Sequence, residues 1–166
     1  GTCKVRMTVG EWTQTQSFEV KRDPRLSTTQ GDFQKQFNLA IKIRDKLTEL
    51  NNAIRKIRYV RNQVESLTIT LKKAGYGDEI AQASNELRKK LSSVEDKLIQ
   101  PENKKDADIC NFPPQLDSRF VYVLSVVLGA ETQPTDGSYE CFEDLKPKLA
   151  EYLNKLQEII DKDLVS

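Results

Sequence analysis

The stretch Asp32–Lys73, DFQKQFNLAIKIRDKLTELNNAIRKIRYVRNQVESLTITLKK, contains neither glycine nor proline and decides the fold. Apolar residues recur in it every three or four positions. A seven-residue column runs through Ile43, Leu50, Ile57, Val64 and Leu71. The pattern predicts one helix of about 40 residues, roughly 60 Å long. We expect its inner column to drift after Ile57 toward Val60 and Leu67, because 3.6 residues per turn slip against a seven-residue repeat.

An apolar stripe of that length needs other helices to cover it, and the rest of the chain predicts three. They run from Asp78 to Leu98, from Leu116 to Leu128, and from Thr135 or Asp136 to about Leu164. The third is apolar nearly all round at its end, so we expect it to be the most buried element. On the first helix, Phe33 and Phe37 are also predicted to face inward. The predicted inner residues of the second helix are Ile80, Ser84, Leu87, Leu91, Val94 and Leu98, and those of the fourth are Tyr139, Phe142, Leu145, Leu149, Tyr152, Leu153, Leu156, Ile159 and Ile160.

The first 25 residues have the two-residue period of a β-hairpin. In residues 2–9, one face carries Cys3, Val5, Met7 and Val9, and Gly10-Glu11 leads to a second strand, Trp12–Lys21. A two-stranded hairpin is marginal in water by itself, so it either lies on the bundle or completes a β-sandwich. The start at Gly1, which is not an initiator Met, favours the second reading, with earlier strands upstream. The fold class is therefore mainly α: a hairpin at 1–25, then a four-helix bundle with one very long first helix at 26–166.

Composition and charge argue against several functions. The net charge of +1 gives no whole-chain field that would attract nucleic acid, and no apolar run approaches the ~18 residues that span a bilayer. The chain has no histidine, which removes Ser-His and Cys-His nucleophile pairs and histidine metal sites. We therefore expect a chain that is not an enzyme, with no catalytic residues, cofactor or metal, no nucleic-acid partner and no membrane span.

The cysteines and paired carboxylates each allow two interpretations. Cys3, Cys110 and Cys141 match no zinc or redox spacing. Buried or idle thiols are preferred to a Cys110–Cys141 disulfide, because the helices that follow place the two sulfurs at opposite ends of the bundle. Carboxylates at helical spacing occur in the pairs Glu140/Asp144 and Glu158/Asp161. Such pairs suit a glycosidase, but a solvated helix face explains them equally well and is preferred.

Two charged clusters also have alternative interpretations. The loop segment Asp106-Ala107-Asp108, with Glu102 and Asn103 nearby, offers oxygen ligands for Ca²⁺ but lacks the glycine and terminal glutamate of an EF-hand. A basic cluster lies on the long helix: Arg55, Lys56, Arg58 and Arg61. Nucleic-acid binding requires such a patch. Ion pairs with acidic residues of the second or fourth helix are the preferred interpretation.

Several stretches together resemble a known family. They are Gly1–Val9, Phe18–Lys21, Asp23-Pro24-Arg25, Gln36–Asp45, Gln100–Lys104, Asn111-Phe112-Pro113 and Pro134–Glu140. The chain resembles the C-terminal region of secreted β-propeller proteins with BNR-type, sortilin-like repeats, often labelled glycosyl hydrolase or sialidase-like. The resemblance implies an exported (periplasmic or secreted) protein in which the propeller holds any catalytic residues. It implies upstream domains of the same polypeptide as the partner, with another protein as a further possibility.

The function predicted from the sequence is that of a non-catalytic C-terminal accessory and interaction domain. The candidate interaction residues are the hairpin face (Cys3, Val5, Met7 and Val9) and two loop aromatics, Tyr76 and Phe112. One alternative is an independent helical oligomerisation or protein-binding module, with its seam at Ile43 and Leu50. Another is a fragment of a carbohydrate-active enzyme.

Overall fold

The chain folds as a β-hairpin followed by a bundle of helices. The computed structural model describes residues 1–75, 78–102, 104, 108 and 110–163. Within them lie strands β1 (Thr2–Val9) and β2 (Trp12–Glu19) and helices α1 (Gln30–Lys73), α2 (Asp78–Leu98), α3 (Leu116–Leu128) and α4 (Asp136–Asp163). The predicted fold class is confirmed: mainly helical, with four helices, a long first helix and an N-terminal hairpin.

The long helix α1 has well-defined signals at both ends. Its N-cap is Thr29, whose hydroxyl accepts the Asp32 N–H at 3.2 Å while the Asp32 carboxylate accepts the Thr29 N–H at 3.0 Å. Hydrogen bonds from the Thr29 hydroxyl and backbone N–H lower the pKa of Asp32. Beyond the last turn, Gly75 adopts φ 85°, the left-handed conformation that glycine reaches without steric cost.

The shorter helices pack on different halves of α1. Helix α2 runs antiparallel to the C-terminal half, through the contacts Arg58–Glu95, Arg61–Ser92 and Thr68–Ser84. Helix α3 packs on the N-terminal half, where Gln36 donates to the Val127 carbonyl at 2.7 Å. Helix α4 lies alongside both, because Phe142 meets Phe120 of α3 and Asp163 meets Lys90 of α2. Each level of the bundle is therefore built mainly from three helices.

The core follows the predicted periodicity closely. Ile43, Leu50 and Ile57 are completely buried, and Val64 and Leu71 are half-buried. All six predicted inner positions of α2 are buried or, for Ile80, half-buried. The largest fully buried side chains are Phe120, Leu39, Ile43, Leu50, Ile57, Leu91, Leu98 and Leu149. One continuous apolar interior joins all four helices.

Two expectations for α1 are wrong. Phe37 is 60% exposed, because the inner position at that turn belongs to Gln36, whose amide reaches the carbonyls of Val127 and Ala130. Val60 is half-buried and packs against the core as predicted, but the drift does not extend to Leu67, which is exposed. Thr68 stays inward instead, because its hydroxyl donates to Ser84 Oγ at 2.8 Å.

Helix α3 buries four of its 13 residues, Leu116, Phe120, Val123 and Val127, which is at least as large a share as in any other described helix, as expected. Its outer face leaves four apolar side chains exposed: Val121, Tyr122, Val126 and Leu128. The reason is that α3 packs mainly on α1 and α4, so its outer side is not covered by any of the described helices. In α4, Tyr139 is exposed and Ser138 takes the inner position, with its N–H donating to Thr135 Oγ1. Pro147 lies inside α4 and does not mark a late start.

Candidate functional site

The apolar side chains of the hairpin gather on one face. A two-residue turn at Gly10-Glu11 sets the register, in which Val9 pairs with Trp12 and Cys3 with Phe18. Because directly paired residues of antiparallel strands share a face, Trp12 and Phe18 join the predicted face. We call this set the hairpin face: Cys3, Val5, Met7, Val9, Trp12 and Phe18.

The hairpin face is not covered by the bundle. Its apolar members Val5, Met7, Val9, Trp12 and Phe18 are between 47% and 62% exposed, and Cys3 is exposed as well. Among the described elements, neither strand packs against a helix, and β1 and β2 form a sheet of two strands only. The opposite face carries polar side chains such as Lys4, Arg6 and Thr15. The hairpin face also carries Gln14 and Gln16, which pair with Met7 and Val5, so it is mainly rather than wholly apolar. Antiparallel sheets commonly pack their apolar face against another element.

The segment that leaves the hairpin is tied to the bundle. Asp23 and Arg25 form a two-point ion pair, with Arg25 Nε at 3.0 Å and Nη2 at 2.6 Å from the carboxylate oxygens, which lowers the pKa of Asp23 and raises that of Arg25. Arg22 then donates to the Thr28 carbonyl at 2.5 Å, and the Thr28 hydroxyl donates to the Glu131 carbonyl at 2.5 Å. The hairpin therefore leaves the bundle from an anchored point rather than from a free linker.

A second candidate surface is a groove of about 540 Å³ between α3 and α4, which we call the α3/α4 groove. The buried side chains of Val123 and Leu145 line it together with Tyr122 and Pro114. The predicted loop aromatic Phe112 also lines it, half-buried. The other predicted loop aromatic, Tyr76, lies outside the described residues. The structure thus places Phe112 at a concave surface of the bundle, and Phe112 is not part of the hairpin face.

Charged groups and a thiol also line the α3/α4 groove. Arg119 and Lys148 contribute two positive charges and Asp144 one negative charge. Arg119 Nε donates to the Pro114 carbonyl at 3.4 Å. The thiol of Cys141 is exposed and free. The groove therefore combines an apolar lining with a net positive charge.

Two arginines of the basic cluster on α1 form ion pairs with α2. The carboxylate of Glu95, on α2, is 5% exposed and accepts from Arg58 Nε at 2.6 Å, while Arg61 Nη1 lies 2.9 Å from its other oxygen. Arg61 also donates to Ser92, and Lys56 reaches Gln157 of α4 at 3.5 Å. The predicted pairing with α2 is confirmed for Arg58 and Arg61.

The remaining sequence candidates lie at the surface. All three cysteines are free, so the preference for unbonded thiols over a Cys110–Cys141 disulfide is confirmed, but they are exposed rather than buried. The four helical carboxylates Glu140, Asp144, Glu158 and Asp161 are exposed. Of the proposed calcium ligands, Asn103, Asp106 and Ala107 lie outside the described residues. In the described ranges, no group of three or more Cys, Asp or Glu side chains is placed to hold a metal ion. None of the helices there combines the length and apolarity needed to cross a membrane.

Sequence reasoning missed most of the α3/α4 groove. Tyr122, Lys148 and Cys141 were not candidates, because the groove exists only where two helices meet. The signal available in the sequence was that α3 is apolar on every side. That pattern fits a buried helix and also a helix with an exposed apolar face that binds a partner.

Comparisons with protein-family models, with curated proteins and with solved structures give no match for this chain. Its function is therefore inferred from the surfaces themselves.

Proposed function

We propose that this chain is a non-catalytic C-terminal accessory and interaction domain of a larger, exported protein. In this proposal the upstream part contains a β-propeller of the BNR-repeat, glycosyl-hydrolase-like kind, and the hairpin packs against a β-sheet of the same polypeptide. The observation that carries the proposal is the uncovered hairpin face. The sequence resemblance supplies the identity of the upstream part.

The size of the hairpin face favours a covalently linked partner. Strands of eight residues at about 3.3 Å per residue, with two strands about 4.8 Å apart, give a face of roughly 26 by 10 Å. That is about 260 Å², whereas stable complexes between separate proteins bury about 800 Å² on each partner. A linked partner needs less contact, because the linkage supplies a high effective concentration.

The anchored exit of the hairpin suits a domain that is held against its neighbour. Thr28 is buried and its hydroxyl fixes the segment to the Glu131 carbonyl. The Asp23–Arg25 pair closes a turn that begins four residues after the end of β2. Packing of the hairpin on an upstream sheet would therefore also set the position of the bundle relative to that sheet.

The non-catalytic part of the proposal is supported by the chemistry of the surfaces. The chain has no histidine, and the carboxylates Glu140 and Asp144 lie on an exposed stretch of α4. The lining of the α3/α4 groove is largely apolar. Hydrolysis of aryl glycosides by this chain alone would contradict this part.

The experiment compares the chain with the full-length protein that its gene encodes. The test variant is Val5→Lys with Met7→Lys, which places two charges on the hairpin face. The control is Thr13→Lys with Thr15→Lys, which places the same charges on the opposite, polar face. Thermal unfolding and limited proteolysis are measured for both proteins and both variants.

In the chain alone, both variants should leave the unfolding of the bundle unchanged, because none of the helices that the structure describes contacts the hairpin. In the full-length protein, only the Val5/Met7 variant should expose the hairpin to protease and lower the first unfolding transition. A gene that encodes no upstream β-sheet domain, or equal behaviour of the two variants in the full-length protein, would contradict the proposal.

One observation favours the alternative of an independent protein-binding module. The predicted seam is not available to a partner, because Ile43 and Leu50 are completely buried within the chain. The outer face of α3, however, exposes Val121 and Leu128. Sedimentation equilibrium tests this alternative: a dimer that dissociates on Val121→Lys with Leu128→Lys supports it, and a monomer at all concentrations refutes self-association.

A further inference from the structure

The α3/α4 groove has the dimensions of a small-ligand site. Its volume of about 540 Å³ falls within the roughly 300–1,000 Å³ usual for ligand pockets. Val123 of α3 and Leu145 of α4 are both buried and belong to the core. Phe112 and Tyr122 add aromatic surface, and Tyr122 is 70% exposed. The bundle therefore provides a fixed apolar surface with aromatic sides.

The charged side chains of the groove favour a ligand that carries a negative charge. Arg119 and Lys148 outnumber Asp144, so the groove carries a net charge of +1 when these three groups are ionised. Arg119 uses its Nε–H on the Pro114 carbonyl, and its terminal nitrogens keep four further N–H donors. Within the part of the chain that the structure describes, neither Lys148 nor Asp144 has a hydrogen bond or ion pair of its side chain.

We propose that the α3/α4 groove binds an amphipathic anion. The apolar body of the ligand lies over Val123 and Leu145, beside Phe112 and Tyr122. Its carboxylate, or another anionic group of similar size, lies beside Arg119 and Lys148. This activity goes beyond the accessory role of the hairpin and does not depend on it.

The lining of the groove argues against two other ligand classes. A sugar would leave several hydroxyl groups without partners on an apolar surface, and each unpaired buried polar group lowers affinity. An amphipathic cation would have one carboxylate, Asp144, and two like charges to face. Opposite charge at the rim of a site therefore favours the anion.

Cys141 provides a direct reporter of occupancy, because its exposed thiol lines the groove. The rate of its alkylation by iodoacetamide, an uncharged reagent, is measured by peptide mass spectrometry. The probes are dodecanoate, dodecyltrimethylammonium and acetate, each below its micelle-forming concentration. Dodecanoate and the ammonium probe share the tail and differ in the sign of the head, and acetate has the head without the tail. Alkylation of Cys3 reports any binding of the tails to the hairpin face.

We expect dodecanoate to slow alkylation of Cys141 strongly, the ammonium probe to do so with about fivefold weaker affinity, and acetate not to do so. Lys148→Glu should reverse the preference between the two tailed probes at Cys141 and leave Cys3 unaffected. Tyr122→Ala should weaken protection by both tailed probes. Lys42→Glu, the same charge change on an exposed part of α1 outside the groove, should change nothing. All three substituted side chains are exposed, so thermal unfolding should match that of the parent chain.

Three outcomes would overturn the proposal. The first is equal protection by dodecanoate and the ammonium probe, because the groove would then not distinguish an anion from a cation. The second is no protection by either tailed probe. The third is that, with no probe added, Cys141 becomes more protected as the protein concentration rises, because the occupant would then be a second copy of the chain.

Discussion

Loss of the arginines that pair with Glu95 should destabilise the bundle more than loss of the Glu95 charge itself. The Glu95 side chain is buried, whereas those of Arg58 and Arg61 are 53% and 27% exposed. Removing both arginines leaves a buried carboxylate without a cation. Removing the carboxylate leaves two guanidinium groups that can turn to water. The first change should therefore cost more than the second.

The size of the difference follows from the burial. An unpaired buried charge costs about 3–5 kcal/mol, so Arg58→Met with Arg61→Met should lower the free energy of unfolding by about 4 kcal/mol. Glu95→Gln keeps the shape and one acceptor, and should cost about 1.5 kcal/mol. Arg58→Met alone should cost about 1 kcal/mol, because this side chain is more than half exposed and its pair is weakened by solvent.

Urea unfolding followed by far-ultraviolet circular dichroism at neutral pH measures these differences. The control is Arg88→Met, which removes an exposed pair with Glu65 at 3.8 Å between the same two helices and should cost less than about 0.5 kcal/mol. If Glu95→Gln cost as much as the loss of both arginines, the burial argument would be refuted. A control variant as unstable as the double variant would refute it as well.

Three further predictions concern the bundle. Leu50→Ala removes a completely buried side chain and should lower the free energy of unfolding by about 3 kcal/mol in urea; a loss under about 1 kcal/mol would mean that the site is not close-packed. Gly75→Ala forces a left-handed backbone at φ 85° on a residue with a Cβ, and should cost about 1 kcal/mol in the same assay; no loss would contradict the cap. Asp32 has a lowered pKa in the folded chain, so its stabilising effect is complete above about pH 5 and is lost as the pH falls below about 4. The difference in melting temperature between the parent and Asp32→Asn should therefore shrink on acidification, and a difference that grew would contradict the capping geometry.

The fold was largely predictable because its main determinant is local. The periodic positions Ile43, Leu50 and Ile57 each lie at the centre of the interior. The end of α1 was equally predictable, because the predicted helical stretch stops at Lys73 and the helix ends at that residue. Helix bounds and inner faces depend on residues close in the chain, and a sequence pattern records them directly.

The errors arose where a neighbour decides which side is buried. Phe37 is exposed because Gln36 finds two carbonyl acceptors at the end of α3. Leu67 is exposed because Thr68 finds Ser84. The apolar residues on every side of α3 did not reveal that Val121 and Tyr122 would be exposed. Such choices depend on tertiary partners that a single-helix pattern does not contain.

The candidate site was predictable only in part, for the same reason. Strict alternation placed Val5 and Met7 on one face, and the observed register confirms that face and adds Trp12 and Phe18. The α3/α4 groove joins Arg119 to Lys148, which come from different helices. No local spacing connects those residues, so the groove required the three-dimensional structure.

Hydrogen–deuterium exchange of the hairpin tests the central claim most directly, namely that the bundle is self-sufficient and the hairpin is not. In the chain alone, amides of Thr2–Glu19 should exchange rapidly, because a two-stranded hairpin is marginal by itself, while those around Leu50 and Leu91 exchange slowly. In the full-length protein, the hairpin amides should become as protected as those of the bundle. Equal and rapid exchange of the hairpin in both proteins would contradict the account.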